Sequence, residues 1–259
     1  MMQRQGFFTD TDMEVPAVTT AEMREVDRIA MQETGPNLFQ MMENAGRNLA
    51  EMALDHLGKD WKEARVVVLA GTGGNGGGGI TAARHLANRR ARVELCLAIP
   101  DKLSEVAAWQ RRVFQSTSGK EVEFRNLDSA PVHLILDALI GYGLQSAPQE
   151  IFAELIRWAN TTRAPIIALD VPSGLDSTSG GTPGEFIRAS RTMTLALPKS
   201  GLARAEVGEL ILADIGIPEE TYRRIGVPYT SPFGNRFRVP LSIHSEPEVS
   251  RRRQHSSDN

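Results

Sequence analysis

The spacing of hydrophobic residues along the chain changes near residue 65. Before that point, apolar side chains recur every three or four positions, which predicts one helix after Thr19 and a second over about 38–57. Thr19 and Glu22 have the spacing of a capping box, in which a hydroxyl and a carboxylate satisfy the first free amides of a helix. The pair Gly35-Pro36 separates the two predicted helices.

After residue 65, short apolar runs alternate with stretches of helical spacing. The apolar runs predict strands at 65–70, 92–98, 133–137, 165–170, 191–196 and 209–213. The other stretches predict helices at about 78–89, 102–116, 149–159 and 219–224. Strands that are apolar along their whole length are typical of a parallel sheet covered on both faces. The alternation therefore predicts an α/β fold, a three-layer α/β/α sandwich around a doubly wound, mostly parallel, Rossmann-like sheet.

Both ends of the chain lack this patterning. Residues 1–15 show no apolar period, and the composition turns polar from about Arg238. We expect a loose N-terminal tail over 1–15, one domain over 16–237 and a disordered C-terminal tail over 238–259. The three arginines at 251–253 could contact RNA or an acidic partner, but three is a short run for such a site. A solvated tail is the simpler interpretation.

Composition narrows the class of protein. The formal net charge is −3, so no basic field favours a nucleic-acid partner. The single cysteine, Cys96, excludes an internal disulfide and a multi-cysteine metal site, and its apolar neighbours predict a buried, inert thiol. No apolar run approaches the roughly 20 residues of a membrane span, and the N-terminus lacks the apolar region of a signal peptide. We expect a soluble, cytoplasmic protein with no membrane partner.

Seven of the nine residues from Gly71 to Gly79 are glycine. This cluster follows an apolar strand, precedes an alanine-rich helical stretch and contains the spacing G-x-G-x-x-G. Glycine allows a positive φ and a close approach of the backbone to a ligand, and the start of the next helix attracts an anion such as phosphate. The motif is weak by itself, because the next strand does not end in an acidic residue and no Lys-Ser/Thr pair follows the glycines. Asn75 is the one side chain here that can supply a carbonyl oxygen; its alternative role is that of a turn residue.

Two further strand ends carry polar side chains. Asp137 and Asp170 each close an apolar strand, and Ser173 follows in a Pro-Ser-Gly turn. Ligands of open α/β sheets bind beyond the carboxyl ends of the strands, so these side chains and Asn75 can face one crevice. Asn75, Asp137 and Ser173 would supply oxygen ligands with a single charge, which favours a monovalent cation such as K⁺. The alternatives are a helix cap or turn for Asp137 and a turn hydroxyl for Ser173.

These loops, in this order, resemble those of the YjeF N-terminal family, the NAD(P)H-hydrate epimerases. The likeness runs from about Val18 to Pro218 and includes Leu38–Arg47, Ala196–Leu202 and Ala213–Pro218. It implies interconversion of the R and S forms of hydrated NADH and NADPH, and a homodimer. It also implies that K⁺ is held by Asn75, Asp137 and Ser173, and that Asp170 contacts the substrate. The remaining substrate-binding residues that it implies are Gly74, Asn75, Gly76, Gly77, Gly78, Gly141, Tyr142, Gly143, Leu144, Gln145, Ser146 and Ala147.

The glycine loop departs from the family pattern at two positions. The family reads N-N-G-G-D-G, whereas Gly74 and Gly78 stand here for the first asparagine and the aspartate. The leading hypothesis is epimerisation, with Asp170 as the catalytic group that moves a proton at the substrate hydroxyl. One alternative is a non-catalytic module on the same fold that binds a nucleotide or a protein. A second is an NAD(P)-dependent oxidoreductase, although the sequence shows no evident Tyr-Lys or His-Asp catalytic pair.

Overall fold

A ten-stranded sheet organises the part of the chain that the computed structural model describes, residues 5–127 and 130–245. The strands are β1 (Gln5–Thr9), β2 (Glu14–Val15), β3 (Arg65–Ala70), β4 (Arg92–Leu97), β5 (Lys120–Glu121), β6 (Leu134–Ala138), β7 (Ile166–Leu169), β8 (Arg191–Leu195), β9 (Glu209–Ala213) and β10 (Arg238–Ser245). Their order across the sheet is β2-β1-β10-β9-β8-β7-β6-β3-β4-β5.

Six α-helices accompany the sheet in these residues. They are α1 (Thr20–Ile29), α2 (Leu38–Leu57), α3 (Gly74–Asn88), α4 (Glu105–Phe114), α5 (Glu150–Thr161) and α6 (Glu219–Arg224). Short turns of other helix types cover Ala30–Thr34, Gly58–Asp60, Pro100–Lys102, Phe124–Asn126 and Ser200–Arg204. The predicted capping box at Thr19 and Glu22 is present, and α2 has the predicted bounds. No helix among the described residues has the length and apolar character needed to cross a bilayer.

The seven strands from β9 to β5 pair in parallel, which confirms the doubly wound α/β prediction. Alternate residues of β3 face opposite layers: Val66 and Val68 pack with α2, α3 and α4, whereas Val67 and Leu69 pack with α5. From β3 the chain winds outward to β4, and then returns to place β6 on the other side of β3. Such a reversal leaves a crevice beyond the carboxyl ends of the two neighbouring strands.

Helix α3 begins at Gly74, four residues before the predicted start, so most of the glycine cluster is helical. None of the glycines from 71 to 79 has a positive φ, so the cluster does not use this conformational freedom of glycine. Their role is close packing. A Cβ on Gly77 would stand 2.5 Å from Met42 Sδ on α2, and one on Gly79 would stand 2.4 Å from Ala138 Cβ on β6. The absence of side chains therefore lets α3 lie directly against α2 and the sheet.

The predicted tails are wrong for residues 5–9, 14–15 and 238–245, which form strands. β10 lies between β9 and β1 in antiparallel pairing, with Val239 opposite Leu212 and Phe7 opposite Ile243. Phe7 and Val239 are buried. β1 and β10 pair with each other across more than two hundred residues of the chain, so the local composition carries no signal of this pairing. Residues 1–4 and 246–259, with the arginines at 251–253, lie outside the described residues.

We expect Val239→Ala to lower the free energy of unfolding by about 2 kcal/mol, because it removes two buried methyl groups and leaves a cavity. Chemical denaturation measures this change. Ile243→Ala in the same strand is the matched control, since Ile243 is 37% exposed and its truncation should cost much less. Equal costs at the two positions would contradict the packing of β10 described above.

Candidate active site

A cavity of about 820 Å³ opens beyond the carboxyl ends of the central strands. Its walls come from α1, α2, the start of α3, the loop that follows β6 and the ends of β7 and β8. Of the residues predicted from sequence to bind substrate, eleven line it: Gly74, Asn75, Gly78, Gly141, Tyr142, Gly143, Leu144, Gln145, Ser146, Ala147 and Asp170. The structure therefore gathers the three predicted loops at one place.

Gly76 and Gly77 do not line this cavity. A Cβ on Gly76 would stand 1.9 Å from the carbonyl oxygen of Gly71, and Gly77 N already donates to Gly73 O at 3.0 Å. These two glycines therefore serve the packing of the helix start. At Gly78, a Cβ would stand 2.8 Å from Leu169 Cδ2, so the apolar Leu169 occupies the space of a larger side chain.

Asp137 and Ser173 do not line the cavity, but form a buried pair that is bonded to Ile140 of its wall. Ser173 Oγ donates to Asp137 Oδ1 at 2.6 Å, and Ser173 N donates to Asp137 Oδ2 at 2.9 Å. Leu139 N donates to the same carboxylate at 3.2 Å. Burial raises the pKa of Asp137 to about 6, because these hydrogen bonds only partly replace the lost water. No cationic side chain of the described residues pairs with it, so the carboxylate lacks a counter-charge.

Asn75 lies close to this pair through the loop after β6. Ile140 N donates to Ser173 Oγ at 2.8 Å, and the next residue, Gly141, contacts the side chain of Asn75. A Cβ on Gly141 would stand 3.2 Å from Asn75 Cγ and 3.2 Å from Asp170 Oδ2. Asn75 Nδ2 is buried without a hydrogen-bond partner among the described residues. This free N–H donor suits an acceptor from outside the chain, such as water or a phosphate oxygen.

The donor set around Asp137 fits a monovalent cation. Asp137, Ser173 and Asn75 carry a carboxylate, a hydroxyl and an amide oxygen, and no cationic side chain in the described part of the chain pairs with the carboxylate. In the described part of the chain no three His, Cys, Asp or Glu side chains cluster as they do around transition metals. Hard oxygen ligands with one negative charge suit K⁺ better than a divalent ion.

Asp170 and Lys199 form a second buried pair, on the cavity wall. Lys199 Nζ donates to Asp170 Oδ1 in a short hydrogen bond and to Leu195 O at 2.9 Å. The other carboxylate oxygen, Asp170 Oδ2, accepts from Tyr142 N at 3.1 Å. Asp170 also has a φ of +69°, which is unusual for a residue with a Cβ and typical of strained positions at functional sites. Both side chains are almost fully buried, so the charges depend on each other.

Tyr142 connects the loop after β6 to α1. Its hydroxyl donates to Asp27 Oδ2 in a short hydrogen bond, and its carbonyl accepts from Ser177 Oγ at 3.0 Å. Its ring lies 5.8 Å from Lys199 Nζ, a cation–π distance. Burial raises the pKa of Asp27, although the bond from Tyr142 acts in the opposite direction. Together with the bond from Tyr142 N to Asp170, three hydrogen bonds hold Tyr142 between Asp27 and the Asp170–Lys199 pair.

Sequence reasoning missed Lys199 and Asp27. Lys199 follows an apolar run at the end of β8, and a lysine in that position must be paired or solvated, which is the signal that could have identified it. Asp27 carries no such signal, because an aspartate on an amphipathic helix resembles any solvated residue. Only the packing of α1 over the crevice brings it to the cavity.

The fold and the cavity define a doubly wound α/β protein with a ligand site at the reversal of its strand order. The family model described as YjeF-related protein N-terminus matches residues 38–201, and the chain belongs to that family. The "NAD(P)H-hydrate epimerase" of Dehalogenimonas lykanthroporepellens is 51% identical over 241 residues, which cover 93% of this chain and 98% of that relative.

Two further comparisons follow, one with part of a longer enzyme and one with a solved structure of similar fold. The "Bifunctional NAD(P)H-hydrate repair enzyme Nnr" of Salinibacter ruber is 39% identical over 78% of this chain, and the match spans 41% of that enzyme. The crystal structure of yeast ynu0 superposes with a TM-score of 0.75 at 20% identity, covering 89% of this chain and all of the yeast chain. This last likeness supports the fold alone.

We expect Lys199→Met to lower the free energy of unfolding by about 3 kcal/mol, because it leaves the Asp170 carboxylate buried without a counter-charge. Denaturation of the double variant Lys199→Met with Asp170→Asn should recover part of this loss. Lys59→Met, at an exposed lysine, is the control and should change little. A Lys199→Met protein as stable as the parent would show that the pair is not energetically coupled.

Proposed function

We propose that this protein interconverts the R and S forms of hydrated NADH and NADPH. The observation that carries the proposal is the buried Asp170–Lys199 pair on the wall of a cavity whose volume lies in the usual range for ligand sites. Family membership and the printed names of the relatives support the same activity. An isomerase needs no net oxidation, which agrees with a site built from proton donors and acceptors.

The reaction requires a proton to move to and from the substrate hydroxyl at C6 of the nicotinamide ring. Protonation of that hydroxyl releases water, and the electron pair of the ring nitrogen stabilises the resulting iminium ion. Water then adds to the opposite face and returns one proton to the protein. Asp170 is the group we assign to this exchange. Lys199 and the amide of Tyr142 orient its carboxylate by occupying one oxygen each.

The start of α3 is the part of the cavity suited to the phosphates of the dinucleotide. The first turn of a helix has amide groups without intrahelical partners, and its dipole favours a negative ligand. Gly74 and Asn75 stand in that turn on the cavity surface. With glycine at 74 and 78, recognition by this segment rests on backbone amides and on Asn75.

We propose K⁺ as the cation held by Asn75, Asp137 and Ser173. The buried Asp137 carboxylate, which has no cationic partner among the described residues, supports this assignment. A bound cation supplies positive charge beside the anionic substrate. The residues themselves connect the cation site to Asp170 through Gly141, whose backbone lies against both Asn75 and Asp170.

We also infer a homodimer and a cytoplasmic location. The family resemblance supports the first inference. A single cysteine, buried and with a pKa raised to about 12 by its apolar surroundings, supports the second because the described residues contain no disulfide.

Asp170→Asn should reduce the rate of epimerisation of hydrated NADPH by about 100-fold or more, because the amide cannot exchange the proton. Chromatography of the R and S forms during equilibration of a single epimer measures the rate. Asp214→Asn makes the same chemical change at a strand end outside the cavity, and should leave the rate unchanged. Full activity in Asp170→Asn would refute the catalytic assignment.

Calorimetry with NADP⁺ on the parent protein separates the enzyme from the binding-module alternative. That alternative is favoured by the position of Leu169, which fills the space beside Gly78. Binding of NADP⁺ together with no turnover of hydrated NADH or NADPH would support the module and exclude the epimerase.

Replacing tetramethylammonium chloride by KCl at constant ionic strength should raise the Tm by about 2–4 °C, because K⁺ binds the folded protein alone. Asp137→Asn should abolish this difference, since it removes the charge that attracts the cation. Asp214→Asn is again the control and should keep the difference. Identical Tm values in the two salts would argue against a potassium site.

A further inference from the structure

The charged side chains of the cavity wall are not balanced. Three carboxylates, of Asp27, Glu150 and Asp170, and two cations, of Arg24 and Lys199, line it. Lys199 is committed to Asp170. Arg24 makes no hydrogen bond or ion pair with any residue in the ranges that the structure describes, so its guanidinium is the uncommitted positive charge of this wall.

The acidic residues near Arg24 in sequence are bonded to other groups, which explains why Arg24 has no partner within the described ranges. Acidic residues are plentiful on and after α1, but each is engaged elsewhere. These acids and their partners are Glu22 with Thr19, Glu25 and Glu33 with Arg28, and Asp27 with Tyr142. Asp27 is the decisive case, because a spacing of three residues places it on the same helix face as Arg24. Its described hydrogen bond comes from the hydroxyl of Tyr142 instead.

Arg24 acts on the site electrostatically as well as lining it. Burial raises the pKa of Tyr142 well above its usual value, and the carboxylates of Asp27 and Asp170 add to the shift. The charge of Arg24 opposes that shift in the pKa of Tyr142, and both side chains line the same cavity. Met23, the residue before it, is buried and also faces the cavity. Arg24 therefore belongs to the part of the cavity wall that α1 supplies.

We propose that Arg24 binds a phosphate group of the nicotinamide dinucleotide and so contributes to substrate recognition. The ligand class rests on the proposed function. An arginine fork matches phosphate oxygens in geometry and charge, and keeps its charge at all relevant pH values. Two sources supply this chemistry, the pyrophosphate common to both dinucleotides and the 2′-phosphate of the NADP series. In either case the guanidinium offsets part of the repulsion between the ligand and the acidic wall.

Titration calorimetry with NAD⁺ and with NADP⁺ tests the assignment. Arg24→Gln should weaken binding about tenfold, the loss expected for one charge-assisted hydrogen bond. Equal weakening for both ligands identifies the pyrophosphate, and weakening for NADP⁺ alone identifies the 2′-phosphate. Arg24→Lys should restore part of the affinity. The salt dependence of binding should also become shallower in Arg24→Gln, because one phosphate contact is lost.

Arg28→Gln is the matched control, because it removes the same charge one turn further along α1 from a guanidinium already bonded to Glu25 and Glu33. Its affinity for both ligands should equal that of the parent protein. An unchanged affinity in Arg24→Gln, or an equal loss in Arg28→Gln, would overturn the proposal. Epimerase activity of the parent protein is measured separately. If the parent is inactive but its binding depends on Arg24, the proposed activity is refuted and the phosphate site is kept. If the parent is active but its binding does not depend on Arg24, the activity is kept and the phosphate site is refuted.

Discussion

The close approach of α3 to its neighbours is the constraint on which the site depends. Gly77 lies against Met42, and Gly79 lies against Ala138, at distances that leave no room for a Cβ. Gly46 on α2 makes the reciprocal approach, since a Cβ there would stand 2.4 Å from Thr81 Cβ. A larger residue at these points would push α3 outward, because packed interiors yield little to added volume. The start of α3 would then no longer meet the loop after β6.

That packing decides where the polar groups of the cavity meet. With α3 held down on β6, Asn75 stands beside Gly141, and the next link runs through Ile140 to Ser173 and Asp137. Glycine at 141 leaves room for both Asn75 and Asp170, since a Cβ there would stand 3.2 Å from each of these side chains. The cation site and the proton-transfer group that we propose therefore share a single loop, so a change in one alters the geometry of the other.

The buried carboxylates at the site differ in how their negative charge is compensated. Asp170 has a lysine partner, Asp27 has a phenol, and Asp137 has hydrogen bonds but no cation. A buried carboxylate is stable only when its lost hydration is replaced, and the three cases differ in how completely this happens. Asp137, which does not line the cavity, is therefore suited to positive charge, and Arg24 on the cavity wall is suited to negative charge. The cation and the phosphorylated ligand that we propose would require this distribution.

The local elements were predictable because their signals are local. Helix α2 has the predicted bounds, since the spacing of its apolar face and the cap at Asn37 both lie within the segment. The central strands were predicted because burial on both faces leaves continuous apolar runs. The predicted start of α3 was wrong by four residues, because glycines carry no side chains that could show the apolar spacing of a helix. β1 and β10 were missed because half-exposed antiparallel strands depend on distant partners.

The sequence by itself determined the layered α/β architecture, the three polar strand ends and the family resemblance, because backbone preference, burial pattern and motif order are written along the chain. Only the tertiary structure decided which charges meet. It paired Asp170 with Lys199 and Asp27 with Tyr142, and left Arg24 without a partner among the residues that the structure describes. The physical reason is that an ion pair depends on distance and desolvation in three dimensions, and residues far apart in sequence approach only after the helices have packed on the sheet.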